Sequence, residues 1–184
     1  NKIWEGKSIQ ECASESGTSE FEFIRQLLIN ERLGAGIVGF AMDEDNLKKV
    51  LSSPLVMIGS DGNAVAPDGK LATGKPHPRY YGTFARVLGK YCREEKCFDL
   101  PTAVKKMTTM PAEKLNLKKR GSIVRGNFAD ITIFNPNTVI DKATFTEPHQ
   151  TAQGIEYVLV NGKVIVEKGK HSGLRSGSVL RHQA

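Results

Sequence analysis

The chain has 184 residues, of which 39% are hydrophobic and 25% charged, and its formal net charge is +6. This composition is typical of a globular protein of one or two domains, and no apolar run reaches the roughly 20 residues of a membrane span. The lysines and arginines are scattered rather than interleaved with aromatic residues, so we predict no nucleic-acid binding. Three cysteines are an odd number for a disulfide scaffold, which predicts free thiols and a cytoplasmic location.

Two helices are predicted before residue 31. A short helix is expected over residues 8–14. Ser19 and Glu22 match the S-x-x-E capping box, and apolar residues then recur at helical spacing, which predicts a second helix over residues 20–30.

The next segments predict two strands joined by a helix. Residues 35–42 (AGIVGFAM) and 55–61 (LVMIGSD) are nearly continuous apolar runs. Residues 43–53 are predicted to form the helix, because acidic residues stand at their start and lysines follow, an order that the helix dipole favours. Strands with such uninterrupted apolar runs are typical of a parallel sheet that is covered on both faces.

A loop rich in glycine and proline is predicted over residues 62–82, and a helix over residues 83–95. Asp99 is expected to cap a further helix, with Pro101 in its first turn, and Pro111 is expected to break that helix.

The character of the chain changes after Arg120. Short β-type segments alternate with glycine turns, and Asn161-Gly162 between two apolar runs is a strong hairpin signal. We therefore predict two domains, residues 1–119 and residues 120–184, the second a small antiparallel β-module with a polar tail.

Two parallel strands cannot form a closed barrel, which needs about 200 residues and eight strand–helix units. The sequence therefore predicts the C-terminal portion of a larger protein. Its unpaired apolar strand faces would associate with the rest of the barrel or favour an oligomer.

Five stretches carry a resemblance to a known family: IGSDG, KPHPRYYGTFARVLGKYCRE, AVKKMTTMPAEKLNL, RGSIVRGNFADITIFNP and YVLVNGKVI. The chain resembles the amidohydrolase superfamily over almost its whole length, and the HPRYYGTFARVLGKY segment is similar to the N-acyl-D-amino-acid deacylase branch. The resemblance implies an α/β fold, the C-terminal end of a metal-dependent (β/α)8 barrel with part of a small antiparallel β-sandwich. It also implies Zn²⁺ as cofactor and an N-acyl amino acid as small-molecule substrate.

On that resemblance, Asp61 stands at the C-terminal end of the eighth barrel strand, where such barrels collect their reactive groups. Asp61 is the predicted catalytic residue. Its carboxylate would take a proton from the zinc-activated water and return it to the departing nitrogen, and it is also a candidate metal ligand. The alternative is a loop aspartate that bonds to neighbouring backbone amides, which is common in Ser-Asp-Gly turns.

Arg79 is the predicted partner of the substrate carboxylate, because a guanidinium binds a carboxylate through two parallel hydrogen bonds. Ser60 and Tyr80 complete the predicted substrate-binding residues. A surface arginine on a long loop is the alternative for Arg79. His77 is expected to be structural, and His149 is assigned to the β-module, far in sequence from the site.

The family's His-x-His pair, ligand cysteine and two later histidines are not present in these residues. The chain alone is therefore predicted to be inactive. Two other functions fit the same residues: a dihydroorotase-like hydrolase of cyclic amides, and a noncatalytic interaction module of the same fold.

Overall fold

A computed structural model of the chain describes residues 2–181. Within that range six α-helices precede a four-stranded sheet, and no helix there is long and apolar enough to cross a membrane. A 3-10 turn covers Lys2–Trp4, and a π-helical stretch, Val87–Glu94, continues directly from α4. The helices are α1 (Ile9–Ser16), α2 (Glu20–Asn30), α3 (Glu44–Ser52), α4 (Arg79–Arg86), α5 (Leu100–Met107) and α6 (Thr109–Lys114).

The predicted helix starts are confirmed where a side chain caps them. Ser19, Asp43 and Asp99 each accept a hydrogen bond from the backbone N–H three residues later, at 2.9–3.3 Å. The predicted division of this helix into two is confirmed, but it lies at Thr108 and not at Pro111. Thr108 has φ −129° and ψ −79°, and Pro111 lies in the first turn of α6, where a missing N–H costs nothing.

The two predicted parallel strands do not form. Residues 35–42 and 55–61 are without regular structure, and the described part of the chain contains no parallel sheet. Ile37 and Phe40 are 78% and 76% exposed. A strand needs a neighbouring backbone for its N–H and C=O groups, and an apolar pattern indicates burial without supplying that neighbour. The barrel part of the predicted fold is therefore not confirmed by this structure.

The predicted β-module forms, as one antiparallel sheet in the order β1 (Ile131–Phe134), β2 (Ile155–Val160), β3 (Lys163–Glu167) and β4 (Lys170–His171). The hairpin at Asn161-Gly162 is confirmed. Both residues have positive φ, 49° and 79°, as a type I′ turn requires. No second sheet lies opposite this one within residues 2–181, so the predicted sandwich is not observed.

The main hydrophobic core joins the helices to the segment between β1 and β2. Leu88 and Ala103 from the helices pack in one cluster with Val139, which is fully buried. Gly89 allows this contact, because a Cβ at that position would lie 2.5 Å from the carbonyl oxygen of Val139. The predicted boundary between residues 119 and 120 stays a prediction.

Candidate functional site

Asp61 lies at the tip of the Gly-Ser-Asp-Gly turn. Its φ of 50° is in the left-handed region, which aspartate tolerates better than most residues. The Ser60 hydroxyl oxygen accepts a hydrogen bond from the Gly62 N–H at 3.2 Å and closes the turn. The Asp61 side chain is 84% exposed, so the turn presents the carboxylate to solvent instead of satisfying it with backbone amides.

Arg79 is the first residue of α4 and forms an ion pair with Asp61. The distance between Nη2 of Arg79 and Oδ2 of Asp61 is 3.0 Å, and the arginine side chain is 42% exposed. An ion pair this exposed contributes about 0–1 kcal/mol. A ligand carboxylate can therefore replace Asp61 on the guanidinium at little cost.

Gly62 and Tyr80 bring the turn and α4 into close contact. A Cβ on Gly62 would lie 3.0 Å from Cα of Tyr80 and 3.2 Å from the carbonyl oxygen of Arg79, so the close approach favours glycine. The Tyr80 hydroxyl accepts a hydrogen bond from the Asn63 side-chain amide at 3.2 Å. These contacts hold the Asp61 turn against the start of the helix that carries Arg79.

His77 caps that helix. Pro78, at the N-cap position, offers no side-chain hydrogen bond, and the N–H of Arg79 instead donates to Nδ1 of His77 at 3.0 Å. Burial, followed by the positive charges of Arg79 and Arg86, lowers the pKa of His77 below its ordinary value of 6.5. At pH 7 the ring is therefore neutral and its Nδ1 lone pair can accept this bond.

Lys106 holds the segment that leads to Asp61. Its side chain is 1% exposed, and Nζ donates to the carbonyl oxygens of Ser53 and, at 2.9 Å, Val56. Its own carbonyl accepts from the Ile58 N–H at 3.1 Å. Burial lowers the pKa of Lys106. No sequence pattern indicates this role, because a lysine on an amphipathic helix is usually solvated.

The described residues do not fit a zinc ion by themselves. No three His, Cys, Asp or Glu side chains between residues 2 and 181 lie close enough together to hold a metal ion. Zinc sites in proteins take three or four side-chain ligands. Asp61 is one accessible carboxylate, and it can only be one member of such a set.

The structure thus brings all four predicted site residues to one place, the Asp61 turn and the first turn of α4. It also adds a residue that the sequence had assigned elsewhere. His149 contacts the loop before Arg79 and the side chain of Tyr81, although 68 residues separate His149 from that tyrosine. No local sequence pattern could have indicated this contact.

Comparison with known proteins matches the chain to one protein family. The family described as "Amidohydrolase family" matches residues 5–166. D-aminoacylase of Alcaligenes xylosoxydans xylosoxydans is 40% identical over 179 residues, which are 97% of this chain and 34% of that protein. N-acyl-D-glutamate deacylase of the same organism is 38% identical over 179 residues, again 97% and 34%.

A solved structure supports the same relationship. It is N-acyl-D-glutamate deacylase from Bordetella bronchiseptica, complexed with zinc and a phosphonate inhibitor that mimics the tetrahedral intermediate. It superposes with a TM-score of 0.80 at 39% identity, covering 96% of this chain and 34% of that one. The chain spans about a third of the length of these relatives.

Proposed function

The chain belongs to the amidohydrolase family, and from this premise we propose that it forms the C-terminal part of a zinc-dependent N-acyl-D-amino-acid deacylase. The full-length enzyme would hydrolyse the amide bond of an N-acyl-D-amino acid to a carboxylate and a free D-amino acid. The similarity to D-aminoacylase and to N-acyl-D-glutamate deacylase supports this substrate class.

The single observation that carries the proposal is the adjacency of Asp61 and Arg79. In an N-acyl amino acid the amide nitrogen and the carboxylate carbon are both bonded to Cα, so they lie about 2.5 Å apart. A group that protonates this nitrogen and a group that binds the carboxylate must therefore be neighbours. Asp61 and Arg79 are neighbours, at 3.0 Å.

The proposed roles follow from the chemistry of the two side chains. Arg79 would release Asp61 and bind the substrate carboxylate through two parallel hydrogen bonds. Asp61 would then accept a proton from the attacking water and deliver it to the leaving nitrogen. Ser60 would keep the Asp61 turn in place, and Tyr80 would lie beside the bound substrate.

Zinc is the cofactor that we propose for the full-length enzyme, because the similar N-acyl-D-glutamate deacylase structure is complexed with zinc. Asp61 would contribute one carboxylate ligand. The other ligands would come from parts of the enzyme other than the residues described here.

We also propose that the exposed apolar side chains of residues 35–42 pack against the rest of the enzyme. Ile37, Phe40 and Met42 are 76–80% exposed in this chain, and Leu55, at the start of the next apolar run, is 87% exposed. Exposed apolar side chains grouped in this way are typical of surfaces that are covered in the assembled protein.

The proposed function is tested by measuring amine release from paired N-acetyl-D- and N-acetyl-L-amino acids by the full-length enzyme. We expect hydrolysis of the D substrates, loss of activity with a chelator, and recovery with Zn²⁺. Hydrolysis of dihydroorotate without hydrolysis of any N-acetyl amino acid would support a cyclic-amide hydrolase instead. No hydrolysis of either class would favour the noncatalytic module.

The chain of 184 residues by itself is expected to be inactive, because Asp61 alone cannot hold zinc. We expect substoichiometric zinc in the purified chain, measured by elemental analysis, and no turnover of N-acetyl-D-amino acids. Full-length enzyme assayed in parallel is the positive control. Metal-dependent turnover by the isolated chain would contradict this prediction.

A further inference from the structure

A six-residue segment of the β-module, residues 144–149, contacts the glycine- and proline-rich loop that precedes Arg79. The carbonyl oxygen of Thr146 accepts a hydrogen bond from Nζ of Lys75. The ring of Phe145 packs edge-on against the ring of His77, with centroids 5.0 Å apart and planes at 84°. His77 is the residue that caps α4 at Arg79, so this packing fixes the capping ring.

His149, the last residue of this segment, makes two hydrogen bonds. Nε2 lies 3.0 Å from the carbonyl oxygen of Gly74, which can only accept, so Nε2 carries the hydrogen and donates. Nδ1 lies 3.1 Å from the Tyr81 hydroxyl. With the hydrogen on Nε2, the Nδ1 lone pair can accept from this hydroxyl, which also lies 3.4 Å from the carbonyl oxygen of Ala66.

These contacts hold residues that precede Arg79 in the sequence and a residue that follows it. Gly74 and His77 precede it in the loop, and Tyr81 follows it by two residues in the first turn of α4. The backbone of Arg79 is thereby held from both directions by a segment about 70 residues away. The Arg79 side chain is 42% exposed, and its ion pair is with the exposed Asp61. The position of the guanidinium therefore depends on how firmly this backbone is held.

We propose that His149 is a positioning residue for substrate recognition. By joining Gly74 to Tyr81 it holds the loop and the first turn of α4 together, and so fixes Arg79 where it meets the substrate carboxylate. Pre-ordering of this kind lowers the entropy cost of binding and strengthens ground-state binding more than it accelerates the chemical step. The inference rests on the proposed function of Arg79 and adds a residue to it.

The experiment measures kcat and KM of the full-length enzyme for an N-acetyl-D-amino acid in His149→Leu and Tyr81→Phe variants. His149→Leu removes both hydrogen bonds, and we expect KM to rise about tenfold with kcat nearly unchanged. Tyr81→Phe removes one hydroxyl without leaving a void, and we expect about a threefold rise in KM. The Tyr81→Phe variant still tests the inference if His149→Leu folds poorly. His171→Leu, at the exposed edge strand β4, is the matched control.

A double-mutant cycle with Arg79→Met separates positioning from a general loss of structure. If His149 acts through Arg79, His149→Leu has little further effect on KM once Arg79 is methionine. Full additivity of the two effects on kcat/KM, or an unchanged KM in both His149→Leu and Tyr81→Phe, would overturn the inference.

A second readout does not depend on activity. Trypsin cleavage after Lys70, in the loop that His149 holds, should be about fivefold faster in His149→Leu than in His171→Leu. If the wild-type enzyme hydrolyses no N-acyl amino acid, the proposed function fails, while this cleavage comparison still decides whether His149 holds the loop. Equal cleavage rates would show that it does not.

Discussion

Asparagine in place of Asp61 is expected to lower kcat of the full-length enzyme on N-acetyl-D-amino acids by about 10²–10⁴-fold. The amide has almost the same size as the carboxylate but cannot accept a proton from the attacking water. The Asp61 side chain is 84% exposed and is not part of the packed core, so the substitution should leave the fold unchanged. KM is expected to change much less than kcat, because Arg79 still binds the substrate.

Asp68→Asn is the control for this prediction, since Asp68 is an exposed aspartate in the same loop. It should retain the activity of the wild type. Circular dichroism and thermal unfolding of both variants check that the fold is kept. An Asp61→Asn enzyme whose kcat stays within a few-fold of wild type would remove Asp61 from the chemistry and leave it as a turn residue.

Substitution of Arg79 is expected to act on binding. Arg79→Met removes both hydrogen bonds to the substrate carboxylate, and we expect kcat/KM to fall about 100-fold or more, mainly through KM. Arg79→Lys keeps the charge but not the two parallel donors, so it should recover only part of the loss. Steady-state kinetics with a series of N-acetyl-D-amino acids measures both effects.

A substrate without the carboxylate isolates this interaction. The carboxamide of an N-acetyl-D-amino acid should be a poor substrate of the wild type, and Arg79→Met should affect it little. Arg125→Met, at an exposed arginine of the β-module, is the control for the loss of a positive charge. Equal losses on the acid and on the carboxamide would contradict a carboxylate-binding role for Arg79.

Local hydrogen bonding explains which elements could be predicted from the sequence. The helix that begins after Ser19 was predicted over residues 20–30 and is observed as Glu20–Asn30. The Asn161-Gly162 hairpin was predicted from two residues whose backbone tolerates positive φ. In both elements the contacts that fix the structure join residues that are close in sequence. A short sequence pattern is therefore nearly enough to predict the element.

The predicted parallel strands failed for the opposite reason. The apolar runs at residues 35–42 and 55–61 indicate burial, but a strand forms only when another backbone lies beside it, and neither run pairs in this chain. An apolar pattern indicates that a segment is buried, but it does not show which other segment pairs with it.

The same distinction applies to the site. An acid in a Ser-Asp-Gly turn and an arginine after two prolines can be recognised in the sequence, because turn chemistry and carboxylate recognition are local properties. The distance of 3.0 Å between Asp61 and Arg79, and the contacts of His149 with Gly74 and Tyr81, are seen only in the folded chain. The contacts of His149 depend on how the β-module packs on α4 and on the loop before it. Packing between distant segments is set by shape and burial across the whole chain rather than by any short stretch of it.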